Sequence, residues 1–148
     1  MKNSIIAIAA ALMLITTTAF AGKKHLSKDN PAETTFQKTF IGASDVKWSE
    51  GKETITASFI LNDSRVVAFF SYDGELLGTA RKVLFNQLPL AVVREINSRY
   101  GSAPIADITE YSRNEDTFYD MVVDRPEKQL KVRVTALGDL SVEGKIKK

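Results

Sequence analysis

The sequence predicts an α+β protein: an antiparallel sheet with helices on one face, made of two tandem helix-plus-strands repeats. Turn residues 73–76 (Asp-Gly-Glu-Leu) recur as 137–140 (Leu-Gly-Asp-Leu), 64 positions later, and the helix-face residue Phe36 recurs as Ile96, 60 positions later. A nearly constant offset is typical of an internal duplication. Each repeat is too small to bury a stable core alone, so we expect the two to pack together.

The N-terminus has the pattern of a secretory signal peptide over residues 1–21. Lys2 precedes an apolar run from Ile5 to Ile15, and Ala19-Phe20-Ala21 offers a small-x-small cleavage site. A membrane anchor would need about 18 to 20 apolar residues. We therefore expect a periplasmic or secreted protein with no membrane insertion after signal cleavage.

A flexible leader and a single domain are expected to follow the signal peptide. Residues 22–30 are polar and show no periodicity, which predicts the leader. The domain then occupies residues 31–148, with the two repeats at about 31–85 and 86–148.

The first repeat begins with a short helix. Asn30 and Pro31 are typical of a helix cap and first turn, and Phe36 and Phe40 lie on one face of a helix that ends at Gly42. Alternating apolar residues then predict strands from Val46, at Ile55–Leu61, at Arg65–Tyr72 and at Glu75–Arg81. The third of these is apolar on both faces, which favours a central position, and its alternation places Tyr72 in the core.

The second repeat has the stronger helix signal. Leu88-Pro89 begins it, Val92, Ile96 and Tyr100 recur at helical spacing, and Gly101 closes it. Four strands are predicted after it: Ile105–Ser112, Thr117–Asp124, Gln129–Ala136 and Leu140–Ile146.

Strand alternation places aromatic and charged side chains together on the open face of the sheet. Tyr111 and Phe118 share this face with Asp120, Lys131 and Arg133, and antiparallel pairing would also bring Asp124 near the two cations. An exposed aromatic ringed by charges has the composition of a protein interface. Tyr111, Phe118, Asp120, Lys131 and Arg133 are therefore our predicted contacts for a protein or peptide partner. The alternative is that another part of the chain covers the two rings.

Composition excludes several activities. The chain has no cysteine, and its one histidine, His25, lies in the predicted leader. It therefore lacks the residues that histidine-activated nucleophiles and zinc sites of His and Cys require. No glycine-rich phosphate cradle occurs, and a net charge of +2 argues against a nucleic-acid partner. We therefore expect no catalytic residues and no enzyme. The alternative is a carboxylate acid–base pair drawn from Glu110, Asp116, Asp120 and Asp124.

Calcium is the one cofactor that the sequence leaves open. Glu115, Asp116 and Asp120 could supply oxygen ligands near the loop at 113–116, although the spacing fits no EF-hand. A calcium-responsive or small-ligand envelope sensor is therefore the alternative function.

Several segments resemble one known family. Val46-Lys47-Trp48, Thr56–Phe59, Val67–Leu76 and Leu88-Pro89 are similar to those of PepSY-like periplasmic proteins, whose fold is similar to the β-lactamase inhibitor protein. The resemblance covers most of the chain after residue 21, and it implies a fold and no catalytic residues. The function expected from it is a non-enzymatic binding module, acting by analogy of fold as an inhibitor of an envelope hydrolase.

Overall fold

Two helices lie against an eight-stranded antiparallel sheet in the computed structural model, which describes residues 30–148. The predicted signal peptide and residues 22–29 of the predicted leader lie outside the described residues. The first half contains α1 (Pro31–Thr39), β1 (Ser44–Glu50), β2 (Ile55–Leu61), β3 (Ser64–Phe70) and β4 (Leu76–Lys82). The second contains a 3-10 turn (Phe85–Gln87), α2 (Leu90–Tyr100), β5 (Ile105–Arg113), β6 (Asp116–Asp124), β7 (Lys128–Thr135) and β8 (Leu140–Lys147).

Every strand pairs antiparallel with its neighbour in the chain, so the sheet order is β1 to β8. The β2–β3 hairpin closes through Asn62 and Asp63, both with positive φ (49° and 61°), as a two-residue turn matched to strand twist requires. Helix α2 connects β4 to β5, and these two strands are still direct neighbours. The predicted antiparallel sheet is therefore confirmed, with eight strands in a simple meander.

Both helices cover the same face of the sheet. Phe36 of α1 packs on Phe59 of β2, and Ile96 of α2 belongs to the cluster that holds Tyr119 of β6. The strand register carries that face continuously across the sheet through opposed pairs, including Phe59 with Val66, Val66 with Arg81, Arg81 with Glu110, and Glu110 with Tyr119. The opposite face has no helix on it among residues 30–148 and is called the open face below.

The covered face holds two hydrophobic clusters, one per half. The first gathers Ala32 and Phe36 of α1 with residues of β2 and β3, and the second gathers Val92 and Ile96 of α2 with residues of β5 to β7. Burying an aromatic side chain such as Phe36 contributes about 1.5–3 kcal/mol, so each helix is held mainly by its apolar stripe.

A polar seam lies between the two clusters. Arg81 Nε donates a 2.6 Å hydrogen bond to Glu110 Oε1, and the Tyr119 hydroxyl donates one of 3.1 Å to Glu110 Oε2. Burial, reinforced by the Glu110 charge, raises the pKa of Tyr119 to about 12. The hydrogen bond from Arg81 to Glu110 raises the pKa of that guanidinium.

The two turns that matched in sequence have the same hydrogen bonds. The Ser71 backbone N–H donates to the Glu75 carbonyl, and Gly74 N–H donates back to the Ser71 carbonyl. Thr135, Gly138 and Asp139 repeat this pattern. Each turn glycine also sits beside the start of its own helix, Gly74 against Pro31 and Gly138 against Ala91.

The structure corrects several local predictions. The predicted helix cap at Asn30 is confirmed, because its Oδ1 accepts a hydrogen bond from Ala32 N–H, and this contact joins Asn30 to α1 rather than to the leader. That helix ends at Thr39 rather than at Gly42. Tyr72 is not in the core: β3 ends at Phe70, so Tyr72 lies in the turn, 49% exposed, and its hydroxyl donates to the Gly51 carbonyl.

Candidate functional site

The centre of the candidate site is an aromatic pair on the open face. Tyr111 of β5 and Phe118 of β6 are directly opposed in register, and their rings stack with centroids 5.0 Å apart at an angle of 21°. The Arg133 guanidinium of β7 lies 4.3 Å from the centroid of the Phe118 ring, within cation–π distance. The site is therefore built on three adjacent strands, whose backbone ladder fixes its spacing.

A two-point ion pair holds Arg133 over the ring. Arg133 Nε and Nη2 donate hydrogen bonds of 2.7 and 2.8 Å to the two carboxylate oxygens of Asp120, which faces it across the β6–β7 ladder. The hydrogen bonds that Arg133 donates to Asp120 raise the pKa of its guanidinium. Because both contacts fix the guanidinium plane, Arg133 cannot turn away from Phe118 without losing them.

Tyr111 does not project as an exposed aromatic, contrary to the sequence prediction. It is only 6% exposed, because the Phe118 ring stacks on it from the next strand. Burial raises the pKa of its hydroxyl, and the nearby Asp120 charge adds to this effect. Phe118 is the partly exposed ring, and Tyr111 supports it from one side.

Two further charged residues that the sequence placed with this cluster, Lys131 and Asp124, lie outside it. Lys131 is exposed and lies opposite Val122, on the far side of the Asp120–Arg133 pair. The prediction that Asp124 pairs with Lys131 or Arg133 is wrong. Asp124 pairs instead with Lys148, with an Nζ–Oδ1 distance of 2.7 Å. The Lys148 ammonium beside it lowers the pKa of Asp124.

Two hollows flank the Asp120–Arg133 pair. The apolar hollow has a volume of about 610 Å³ and lies at the sheet end where β4 starts and β5 and β7 finish; its apolar lining includes Phe69, Tyr111, Phe118, Ala136 and Leu137. The polar hollow, of about 350 Å³, is lined by charged residues that include Lys82, Asp107, Lys131 and Glu143.

Gly78 of β4 leaves the space that the apolar hollow occupies. On the open face, Gly78 lies opposite Phe69 and Ala80 lies opposite Val67. The small residues of β4 therefore lie between the larger side chains of β3 and β5. A side chain at Gly78 has no room, because its Cβ would lie 2.7 Å from the Ser112 carbonyl oxygen. Sequence reasoning missed Phe69, Gly78 and Leu137 as site residues. The glycine at position 78, inside a predicted strand, was the available signal.

The predicted calcium ligands do not converge. Glu115 and Asp116 are exposed at the β5–β6 turn. Asp120 lies further along β6 and accepts a hydrogen bond from Arg133. Within residues 30–148, no three acidic or histidine side chains are grouped so that they could hold a metal ion.

The carboxylates considered for acid–base chemistry are also dispersed. Glu110 lies on the covered face with Arg81, whereas Asp120 lies on the open face with Arg133. Asp116 is at a turn and Asp124 forms an ion pair with Lys148. These four acids therefore do not form one shared site.

A meander sheet with both helices on one face defines a known fold class, that of BLIP-like proteins. A BLIP-like protein from Bacteroides fragilis superposes with a TM-score of 0.72 at 19% identity, covering 84% of this chain and 91% of that chain. A protein from Bacteroides eggerthii, described as a candidate periplasmic protein, gives 0.69 at 17% identity over 83% and 90%. A DUF2874 family protein from Bacteroides ovatus gives 0.69 at 17% identity over 83% and 89%.

These likenesses establish the BLIP-like fold. No protein-family model matches the sequence, and no curated protein matches it significantly. None of the three similar structures is described as an enzyme. Within the described part of the chain, no helix is long and apolar enough to cross a membrane.

Proposed function

We propose that this protein is a PepSY-like, non-enzymatic binding module of the periplasm or the extracellular space, and that it binds a protein or peptide on the open face of its sheet. The observation that carries the proposal is the preorganised cluster of Phe118, Arg133 and Asp120. Aromatic residues and arginine dominate the binding energy of protein interfaces. Here the arginine is already fixed in place before any partner arrives.

Preorganisation gives this cluster its value for binding. Immobilising a flexible side chain at an interface costs about 0.5–1.5 kcal/mol. The double hydrogen bond from Arg133 to Asp120 and the stacking of Phe118 on Tyr111 meet most of that cost during folding. A partner that covers Phe118 therefore gains apolar burial with little further ordering.

Two observations support the proposed location and role. The signal-peptide pattern predicts export, and one protein of the same fold is described as a candidate periplasmic protein. The name of another, BLIP-like, supports inhibition of an envelope hydrolase as the outcome of binding.

We also propose that the domain arose by duplication of one helix-plus-four-strands unit. The shared hydrogen-bond pattern of the turns at 71–75 and 135–139 supports this origin. So does the contact of each turn glycine with the start of its own helix.

Partner capture from a periplasmic extract of the source organism tests the binding proposal. Immobilised protein should retain a partner that Phe118→Ala and Arg133→Ala lose, whereas Arg94→Ala, which removes an exposed charge on α2, should retain it. Hydrolases among the captured proteins are then assayed for inhibition. Capture that is the same for all three folded variants would reject the open face as the binding surface.

The apolar hollow favours a second candidate function, an envelope sensor of a small ligand. Its volume of about 610 Å³ is within the roughly 300–1,000 Å³ of small-molecule pockets. A thermal shift with an added small apolar ligand, lost when Phe118→Ala is introduced, would favour the sensor over the protein-binding module.

A further inference from the structure

We infer that the apolar hollow receives one large apolar or aromatic side chain of a protein partner, presented between lysine or arginine residues. The inference rests on the proposed function, because it states the chemistry that the partner brings to the open face. Shape and charge each contribute to it.

The shape of the hollow fits a single bulky side chain. Its long walls are Phe69 on one side and the stacked Tyr111 and Phe118 on the other, and its floor is the backbone at Gly78. The chain cannot fill this space by adding bulk at residue 78, since a Cβ there would collide with the Ser112 carbonyl oxygen at 2.7 Å. An inserted aromatic ring would cover these walls and bury about 150–250 Å² of its own surface.

An exposed leucine extends the apolar surface at the rim. Leu137, in the β7–β8 turn, is 86% exposed and also lines the hollow. Contiguous exposed apolar surface rimmed by polar residues marks interaction sites. A side chain entering the hollow would be flanked by Leu137 and would reduce its contact with water.

The charge at the rim of the hollow determines which partner residues are favoured next to the inserted side chain. Glu115, Asp116 and Asp139 line the hollow and are exposed, and none has an ion-pair partner among residues 30–148. Arg133 is already neutralised by Asp120, which leaves Arg113 as the opposing charge in this part of the lining. The rim is therefore net negative, and it favours cationic neighbours on the partner.

The lining favours a protein side chain over a free small molecule. Small-molecule sites enclose most of the ligand and orient it with a few fixed polar groups. Arg133 lines this hollow in a fixed position but is already paired with Asp120, and the carboxylates of the lining stand on exposed turns. A side chain carried by a protein backbone needs no such orienting groups, since contacts outside the hollow position it.

Four blocked probes test the inference by NMR titration of the isotope-labelled protein. They are the peptides Lys-Lys-Trp-Lys-Lys, Glu-Glu-Trp-Glu-Glu and Lys-Lys-Ala-Lys-Lys, and N-acetyl-tryptophanamide. We expect the basic tryptophan peptide to shift the amide signals of Gly78, Phe118 and Leu137. At low salt it should bind about tenfold more tightly than the acidic one, a difference of about 1.4 kcal/mol. That preference should shrink as salt is added.

Charge reversal at the rim provides the matched variant. Glu115→Lys with Asp116→Lys changes two exposed turn residues and leaves the aromatic walls intact. It should abolish or reverse the preference for the basic peptide. Equal binding of the alanine peptide, equal or tighter binding of the acidic peptide, or shifts away from the hollow would overturn the inference. Binding of N-acetyl-tryptophanamide as tight as that of the basic peptide would overturn it in favour of a small-molecule pocket.

The peptide titration and partner capture fail independently. If the peptides contradict the inference while capture still depends on Phe118 and Arg133, the chemistry assigned to the hollow is wrong and the binding face is right. If capture is also indifferent to both residues, the proposed function is wrong as well.

Discussion

The Asp120–Arg133 pair should couple strongly in a double-mutant cycle of folding stability. The cycle compares the wild type with Asp120→Ala, Arg133→Ala and the double variant, which isolates the interaction between the two side chains. The pair makes two charge-assisted hydrogen bonds of 2.7 and 2.8 Å, and the side chains of Arg133 and Asp120 are 20% and 23% exposed.

The expected coupling follows from this geometry. Exposed ion pairs contribute about 0.2–1 kcal/mol, and hydrogen bonds to charged groups about 1.5–3 kcal/mol. Partial exposure reduces the larger range, so we expect a coupling of about 1.5 kcal/mol for Asp120 and Arg133. Urea unfolding measures it, with the fluorescence of Trp48, the single tryptophan of the chain, as the probe.

A second ion pair in the same sheet provides the control. Arg65 Nη2 lies 2.8 Å from Asp45 Oδ2, but these side chains are 50% and 44% exposed and share one short contact. Their coupling should be about 0.5 kcal/mol and should fall further at high salt. If the Asp120–Arg133 coupling does not exceed that of the control, the pair does not fix Arg133 and the argument for a preorganised site fails.

Four further outcomes follow from the structure. Phe36→Ala should lower the free energy of unfolding by about 3–5 kcal/mol in urea, because the ring contacts four other aromatic rings. Gly42→Ala should cost about 1–2 kcal/mol from its positive φ of 86° alone. Gly74→Ala, at a φ of 85°, should cost at least about 1 kcal/mol more, since its Cβ would lie 2.6 Å from Pro31 Cβ; equal losses in urea would contradict this. The pKa of Tyr119 is raised to about 12 in the folded protein against about 10 unfolded, so the stability it contributes is complete below pH 10 and is lost as the pH rises through 12. Urea melts across that range should show a smaller alkaline loss for Tyr119→Phe. Calcium at 1 mM should leave the thermal midpoint where a chelator leaves it, whereas a site filled at about 100 times its dissociation constant would add about 2.7 kcal/mol.

Strand alternation was sufficient to predict which side chains share the open face. It placed Tyr111, Phe118, Asp120 and Arg133 together because alternate residues of a strand must point the same way. Cross-strand pairing then follows from the hairpin turns, whose positions are indicated by Asn, Asp and Gly. The eight strands and two helices were predictable on the same grounds.

The remaining features depend on contacts that local pattern does not encode. Tyr111 is buried because a ring from the next strand stacks on it, and Asp124 is paired by Lys148, 24 positions later in the chain. The hollow depends on the irregular β3–β4 register between Phe69 and Phe70, which brings Gly78 opposite Phe69. A register shift of this kind is set by the assembled sheet, so alternation in a single strand does not predict it.

The meander order of the sheet has a consequence for how the chain folds. Each strand needs only its neighbour in sequence as a partner, and the longest connection, between β4 and β5, is itself largely occupied by α2. Chains whose contacts are local in sequence close small loops and fold quickly. We therefore expect each half to form its hairpins early, with the β4–β5 ladder completing last as the step that joins them.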